Sequence, residues 1–213
     1  MFVTFILLII FIAIFNEKRK GIDNYIAAVI SWTTILYLSI EILSIYSFAS
    51  KRTLELIWWL INGILLLGIM FLVIKKKESI IGRSISIIDI IKKTRFNMDL
   101  FIEVCFILIL AGETLYVALK VAPYNWDSLT YHLPRIMHWV QNQSVAHYAT
   151  NITRQVASPV LAEFINFAVY LEQEYSDSLF NVLQWASYVT SAGLVIAIAH
   201  KLKCSKEIGR AHV

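Results

Sequence analysis

Charged residues, proline and glycine are all scarce in this sequence. Asp, Glu, Lys and Arg together make up only 16% of its 213 residues, whereas soluble domains carry about 25%. Three prolines and seven glycines leave few points at which a helix would end. The alternation of apolar and polar residues that transmembrane strands need is missing as well. These absences argue against a soluble domain and favour long helices in a membrane.

Apolar residues are abundant, at 58%, and they fall into five runs. A transmembrane helix needs about 20 such residues, and the runs at 25–49, 56–74, 98–121 and 178–200 meet this need. The run at 2–15 is shorter, but basic residues follow it instead of preceding it, which is unlike a signal peptide. The sequence therefore predicts an all-α polytopic membrane protein with about five transmembrane helices.

Positive charge predicts the orientation of these helices. Leaving Arg210 aside, 13 Lys and Arg residues fall on one side of the predicted spans and five on the other. An excess of Lys and Arg marks the cytoplasmic side. The loop at 122–177, between the fourth and fifth spans, is thus expected to lie outside the cytoplasm, in a cell inner or plasma membrane. The basic residues flank apolar runs, so we expect contacts with membrane lipids and not with nucleic acid.

A basic stretch at 75–95 separates the third and fourth predicted spans. Its isoleucines recur at mixed helical spacing between charged residues. This pattern suits a helix that lies on the membrane surface. A solvated connector explains it equally well.

The 122–177 loop contains a dense set of polar and aromatic residues, NWDSLTYHLPRIMHWVQNQSVAHY. Asn125, Asp127 or Ser128 can cap a short helix there. One helical turn then brings Tyr131 above Asp127. Proline favours the first position of a helix, so Pro134 predicts either a kink or a new helix.

A helix that begins at Pro134 would have one polar face. Arg135, His138 and Asn142 share that face at helical spacing. The side chains of Ile136, Trp139 and Val140 would point elsewhere and could lie on lipid. The helix would therefore present a polar stripe outward or toward a cavity.

A second loop helix is predicted from PVLAEFINFAVYL. Its 13 residues are too few to span a bilayer, so a re-entrant or interfacial helix is expected. Glu163, Asn166 and Tyr170 lie on one of its faces. Together the two short helices could form a roof over a cavity.

The histidines of the loop raise the question of a metal site. Asp127, His132, His138 and His147 could gather round a cation, but their spacing matches neither a zinc nor a calcium motif. We therefore assign no metal ligands. No cofactor follows with certainty from the sequence, and a need for a divalent cation stays open. Phosphate-binding loops, nucleophile elbows and Cys-x-x-Cys pairs are absent from the sequence as well.

Carboxylates inside the predicted spans suggest another function. Glu41 and Glu113 would each cost on the order of 3 kcal/mol at mid-membrane, so they are expected to face a bundle interior or water. Structural hydrogen bonding explains them as well as a functional role does. The alternative hypothesis is a multi-pass transporter or flippase-like protein that uses these carboxylates, and a non-catalytic scaffold is a third.

The stretches NWDSLTYHLPRIMHW and RQVASPVLAEF, followed by a fresh apolar span, resemble membrane glycosyltransferases of the GT-C superfamily. The resemblance is closest to the family 39-like group, which includes protein mannosyltransferases and lipid A sugar transferases. It covers roughly residues 98–206. It implies a sugar donor linked to polyprenyl phosphate, a lipid or glycan acceptor, and a reaction on the extracytoplasmic side.

The resemblance implies that Asp127 is the acidic residue of the active site. A carboxylate there can take the proton of an acceptor hydroxyl, and cationic side chains can stabilise the leaving phosphate. Ser128 stands where the family often has a second acid. The other candidate contacts to substrate or phosphate are Tyr131, His132, Arg135, His138, Arg154 and Glu163.

The sequence thus predicts three parts. Residues 1–97 form an N-terminal region of three membrane helices with its basic segment, and residues 98–206 begin the catalytic module. The last seven residues, EIGRAHV, look like a translated sequencing adapter, and we expect the natural protein to continue beyond Lys206.

Overall fold

A computed structural model of the chain describes residues 1–16, 21–77, 80 and 98–202. Most of the predicted surface helix at 75–95 lies outside these residues, as do the basic residues 18–20 and the tail at 207–213. The described residues form helices joined by short loops, and they contain no strand. The predicted all-α fold is confirmed for this part of the chain.

Eight α-helices and one π-helical turn are present in the described residues. The α-helices are α1 Phe2–Phe15, α2 Gly21–Ile45, α3 Lys51–Lys75, α4 Met98–Lys120, α5 Leu133–Asn142, α6 Arg154–Ala157, α7 Leu161–Glu172 and α8 Phe180–Lys201, and the π turn is Ser128–His132.

Four of these helices, α2, α3, α4 and α8, are long and apolar enough to cross a bilayer. The helix α1 has 14 residues, which gives about 21 Å at 1.5 Å per residue. It is therefore shorter than the other four predicted spans. Five apolar runs thus yield four helices of spanning length and one short apolar helix.

The helix α1 packs against α2 and α3. The hydroxyl of Thr4 donates to the Asn62 side-chain oxygen at 2.7 Å. On α3, a Cβ atom added to Gly68 would lie 2.9 Å from the Phe11 ring, closer than side chains pack. The lack of a side chain at Gly68 is what lets these two helices approach.

The helices α4 and α8 form a second pair. The indole nitrogen of Trp185 donates to the Ala111 carbonyl at 3.0 Å, and the Asn181 amide donates to the Val121 carbonyl at 2.6 Å. Both donors lie on α8 and both acceptors at or near the carboxyl-terminal half of α4. This pairing fixes the start of the loop that follows α4.

The short helix α7 lies at the centre of the fold, in contact with α2, α3, α5 and α8. Its residues Phe164 and Phe167 are buried, and the Trp139 ring of α5 packs edge-on against both, with centroids 5.2 and 6.1 Å apart. The prediction that Trp139 faces lipid is wrong, since only 3% of this residue is exposed. Its face of α5 meets α7, which the sequence pattern alone does not reveal.

A pair of serines joins the loop to the end of α2. The Ser44 and Ser144 hydroxyl oxygens are 2.8 Å apart, and the Val145 amide donates to the Ser44 hydroxyl. The Ala49 amide donates to the Gln143 carbonyl at 3.0 Å. The loop after α5 is thereby held against the turn between α2 and α3.

Candidate functional site

The chain between α4 and α5 forms a π-helical turn. The Asn125 side chain caps it, accepting a hydrogen bond from the Ser128 amide at 2.7 Å, as the sequence predicts for one of three candidates. The Leu133 amide donates to the Ser128 carbonyl, which is the i→i+5 bond of a π-helix. Such turns are rare and occur frequently at functional sites.

Proline explains part of this local geometry. Pro134 has no N–H to donate to the preceding turn, so the Thr130 carbonyl lacks its usual helical partner. The side-chain amide of Gln155 donates to that carbonyl at 2.8 Å. Gln155 is buried, and its amide oxygen accepts from Thr150 at 2.9 Å and from Tyr148 at 3.2 Å. The sequence analysis did not predict a role for Gln155. The signal that could have indicated it is Pro134, which leaves the Thr130 carbonyl in need of a side-chain donor.

Six of the predicted site residues form one connected group, which we name the polar cluster. Its members are Asp127, Tyr131, His132, Arg135, Arg154 and Glu163.

The exposed side of the polar cluster is formed by Asp127, Arg154 and Tyr131. An Arg154 guanidinium nitrogen lies 3.6 Å from an Asp127 carboxylate oxygen, and the two side chains are 69% and 56% exposed. The Arg154 guanidinium also lies over the Tyr131 ring, 5.9 Å from its centroid. An acid, a cation and an aromatic ring are therefore available together at the protein surface.

Arg135 forms the buried side of the polar cluster. Its Nε donates to the Gln155 carbonyl and its Nη2 to the Arg154 carbonyl, each at 2.6 Å. Its Nη1 donates to Glu163 at 3.0 Å and to the Ser158 carbonyl at 3.2 Å.

This environment corrects the prediction that Arg135 contacts phosphate. The residue is 0% exposed, and each of its three guanidinium nitrogens already donates to a protein acceptor. It ties α6 to α5 and to the start of α7. Arg135 thus supports the site from within.

Glu163 links Arg135 to His132. Its Oε1 atom accepts from Arg135 and lies 2.7 Å from the Nδ1 atom of His132. The Glu163 side chain is 3% exposed, so the prediction of a direct substrate contact is corrected too. A carboxylate only accepts, which assigns the Nδ1 proton to His132. The His132 side chain is 39% exposed, and its Nε2 atom is therefore the ring nitrogen that can meet a ligand.

His138 is placed apart from the polar cluster. Its ring stacks on the Tyr148 ring with centroids 4.0 Å apart, and none of its described contacts reaches Asp127 or Arg154. Burial raises the pKa of the Tyr148 phenol, and the Arg135 charge partly offsets this. The described contacts of His138 therefore do not support its predicted role in binding substrate.

Exposed aromatic residues lie directly beside Asp127. Tyr124 and Trp126 are 77% and 78% exposed, and Leu129 is exposed as well. All three follow the carboxyl end of α4, one of the helices long enough to cross a bilayer. Amphipathic aromatic side chains at such a position are typical of a membrane–water interface.

The remaining predictions concern metal ions and the carboxylates in the spans. The described residues contain no group of three or more His, Cys, Asp or Glu side chains that could hold a metal ion. Glu113 is exposed on the surface of α4, and Glu41 is half-buried on α2. The transporter hypothesis expects Glu113 to face the interior of a helix bundle. In the described part of the chain it does not.

No family model matches the sequence, and comparisons with curated proteins and with solved structures give no match either.

Proposed function

We propose that this chain is an integral membrane glycosyltransferase. It would transfer a sugar from a polyprenyl-phosphate donor to a hydroxyl of a lipid or glycan acceptor, on the extracytoplasmic side. The observation that supports this most is the exposed Asp127 carboxylate, 3.6 Å from the exposed Arg154 guanidinium, just beyond the end of α4. The proposal also draws on the resemblance of the loop sequence to GT-C glycosyltransferases.

Asp127 and Arg154 suit the two reacting groups, the acceptor hydroxyl and the leaving phosphate. The acceptor hydroxyl is a weak nucleophile, and Asp127 would take its proton as the oxygen attacks the sugar carbon. The bond from that carbon to the donor phosphate would break, and the phosphate would leave with an additional negative charge. Arg154 would stabilise that charge. One carboxylate suffices for direct displacement with inversion, so the serine at position 128 fits this mechanism.

A lipid-linked donor explains why the acid stands beside exposed aromatic residues. The prenyl chain needs contact with the bilayer, whereas the sugar and phosphate need water and polar side chains. Tyr124 and Trp126 would lie in the headgroup region and hold Asp127 close to it.

The first prediction is that Asp127→Asn removes sugar transfer. Loss of a general base lowers rates by about 100-fold to 10,000-fold. The measurement is transfer from a panel of radiolabelled polyprenyl-phosphate hexoses and pentoses by membranes that contain the full chain. Membrane insertion and protein level should stay unchanged.

The matched control is Asp177→Asn, which changes another exposed aspartate, in the turn before α8. It should transfer sugar at the wild-type rate. Full activity of Asp127→Asn would contradict the proposed role of Asp127. An inactive wild-type chain with every donor in the panel would contradict the proposed function itself.

A further inference from the structure

We propose that His132, oriented by Glu163, is a second catalytic residue, which donates a hydrogen bond from its Nε2 atom to the leaving phosphate. This inference rests on the proposed function and adds a second group, beside Arg154, that stabilises the leaving phosphate. The ligand it implies is a prenyl phosphate monoester, the product of the transfer.

A hydrogen bond to the buried Glu163 carboxylate fixes the orientation of the His132 ring. Its Nδ1 atom lies 2.7 Å from a Glu163 carboxylate that is itself held by Arg135 at 3.0 Å. Arg135 is in turn held by backbone carbonyls of α6. A buried carboxylate that fixes the tautomer and ring direction of a histidine is a recurrent arrangement behind catalytic and metal-binding imidazoles. An isolated surface histidine needs no such support.

The π turn brings His132 to the side of the protein where Asp127 lies. Because the turn closes i→i+5 bonds, residues 127 and 132 stand about one turn apart on the same side. The His132 ring contacts the Tyr131 ring, with centroids 4.1 Å apart, and Arg154 lies over that same ring. Tyr131 therefore contacts both His132 and Arg154, the residue proposed to bind the phosphate.

The proton and charge balance of the step assigns separate tasks to the two residues. The acceptor oxygen forms a bond to the sugar carbon and gives its proton to Asp127. The bond between that carbon and the phosphate oxygen breaks, and its electron pair stays on the phosphate. The phosphate then carries one more negative charge, and the Nε2–H of a cationic His132 donates a hydrogen bond to it.

Several charged groups surround His132. Glu163 faces it from α7, Arg135 stands behind Glu163 on α5, and Arg154 and Asp127 lie beyond Tyr131. Imidazole side chains change charge near neutral pH, and Nε2 can donate only in the cationic ring when Nδ1 keeps its proton. Donation from Nε2 to a phosphate monoester therefore requires a proton on both ring nitrogens.

The experiment measures binding of a short-chain prenyl monophosphate by the purified full chain between pH 5 and 8, followed by tryptophan fluorescence. The phosphate itself titrates in this range, so His132→Asn serves as the reference. An asparagine amide can replace Nδ1 and keep the bond to Glu163, but it has nothing in place of Nε2. At pH 5 the wild type should bind about tenfold or more tightly than this variant, and at pH 8 the two should bind alike.

His132→Gln makes the opposite replacement. The longer glutamine amide reaches the position of Nε2, but it loses the bond to Glu163 that Nδ1 makes. It should bind prenyl phosphate more tightly than His132→Asn at pH 8, with no pH-dependent advantage. His147→Ala, in an exposed histidine outside the polar cluster, should match the wild type throughout. A purely structural His132 predicts the opposite order, with His132→Asn like the wild type and His132→Gln defective.

Binding by His132→Asn equal to that of the wild type at pH 5 would overturn the inference. Failure of the proposed function would give a different outcome. A wild-type chain that binds prenyl phosphate but transfers no sugar would contradict the function and leave the His132 binding result intact. Sugar transfer by His132→Asn at the wild-type rate and with the wild-type pH dependence would reject the catalytic role of His132 and leave the proposed function unaffected.

Discussion

Arg135 and Glu163 are oppositely charged side chains inside the protein, at 0% and 2% exposed. Burying charges costs free energy that only close pairing and further hydrogen bonds recover. Here the guanidinium has four backbone or side-chain acceptors within 3.2 Å, and the carboxylate has two partners. These two residues therefore decide whether α5, α6 and α7 stay together.

The second prediction follows from this pair. Arg135→Met should destabilise the loop by about 3–5 kcal/mol, because it leaves the buried Glu163 charge without its cation. The measurement is hydrogen exchange of the α5–α7 amides in detergent micelles. The control is Arg154→Met, which removes an exposed guanidinium and should change protection by no more than about 1 kcal/mol. A loss of protection in Arg135→Met as small as that expected for Arg154→Met would show that Arg135 does not hold the loop.

Helix periodicity predicted which residues share a face, but not what that face meets. The grouping of Arg135 and His138 on one face of α5 could be read from their spacing. The partners of Arg135 lie 19 to 28 positions later in the chain, and no local pattern specifies them. Arg135 was expected to face a ligand for this reason. Trp139 was expected to face lipid, although it follows Arg135 by four positions on the same side of α5, where the Arg135 guanidinium lies 5.8 Å from the centroid of its ring.

At the scale of helices, α1 and α3 meet at a position without a side chain. Gly68 lies under the Phe11 ring, whereas Gly63, five residues earlier on the same helix, has open space around it. The two glycines thus lie on the same helix and differ in the space around them. Close approach through small residues is a common way for membrane helices to associate.

The third prediction uses that difference. Gly68→Ala should destabilise the protein by about 1–3 kcal/mol, because its Cβ would force the Phe11 ring aside. Gly63→Ala should be neutral or stabilising by up to about 1 kcal/mol, because alanine favours helix and meets no neighbour. Thermal unfolding of both variants in the same detergent tests this. A Gly68→Ala variant as stable as Gly63→Ala would mean that α1 does not pack on α3 at this point.

The whole molecule brings its amino-terminal helices and its loop helices into one core. The apolar runs predicted every long helix, since length and hydropathy are properties of a local segment. They did not predict that α7 would pack on α2 and α3. Such contacts join residues that are far apart in the sequence, at least 86 positions between α3 and α7, and a single sequence carries no local record of them.

The fourth prediction concerns the side of the membrane on which the loop lies. In a background without native cysteines, Asn142→Cys should react with a membrane-impermeant maleimide in intact cells. Lys77→Cys, just after α3, should react only after the membrane is permeabilised, because the excess of basic residues marks its side as cytoplasmic. Both positions are exposed. The reverse pattern would place Asp127 in the cytosol and end the proposed function.

The distance in sequence between Arg135 and its counter-ion has a consequence for biogenesis. The ribosome adds Glu163 28 residues after Arg135, which takes about 1–6 s at 5–20 residues per second. During that interval the newly made arginine is without its carboxylate partner. The bonds that join α5 to α7 through these two charges can therefore form only after α7 has been synthesised.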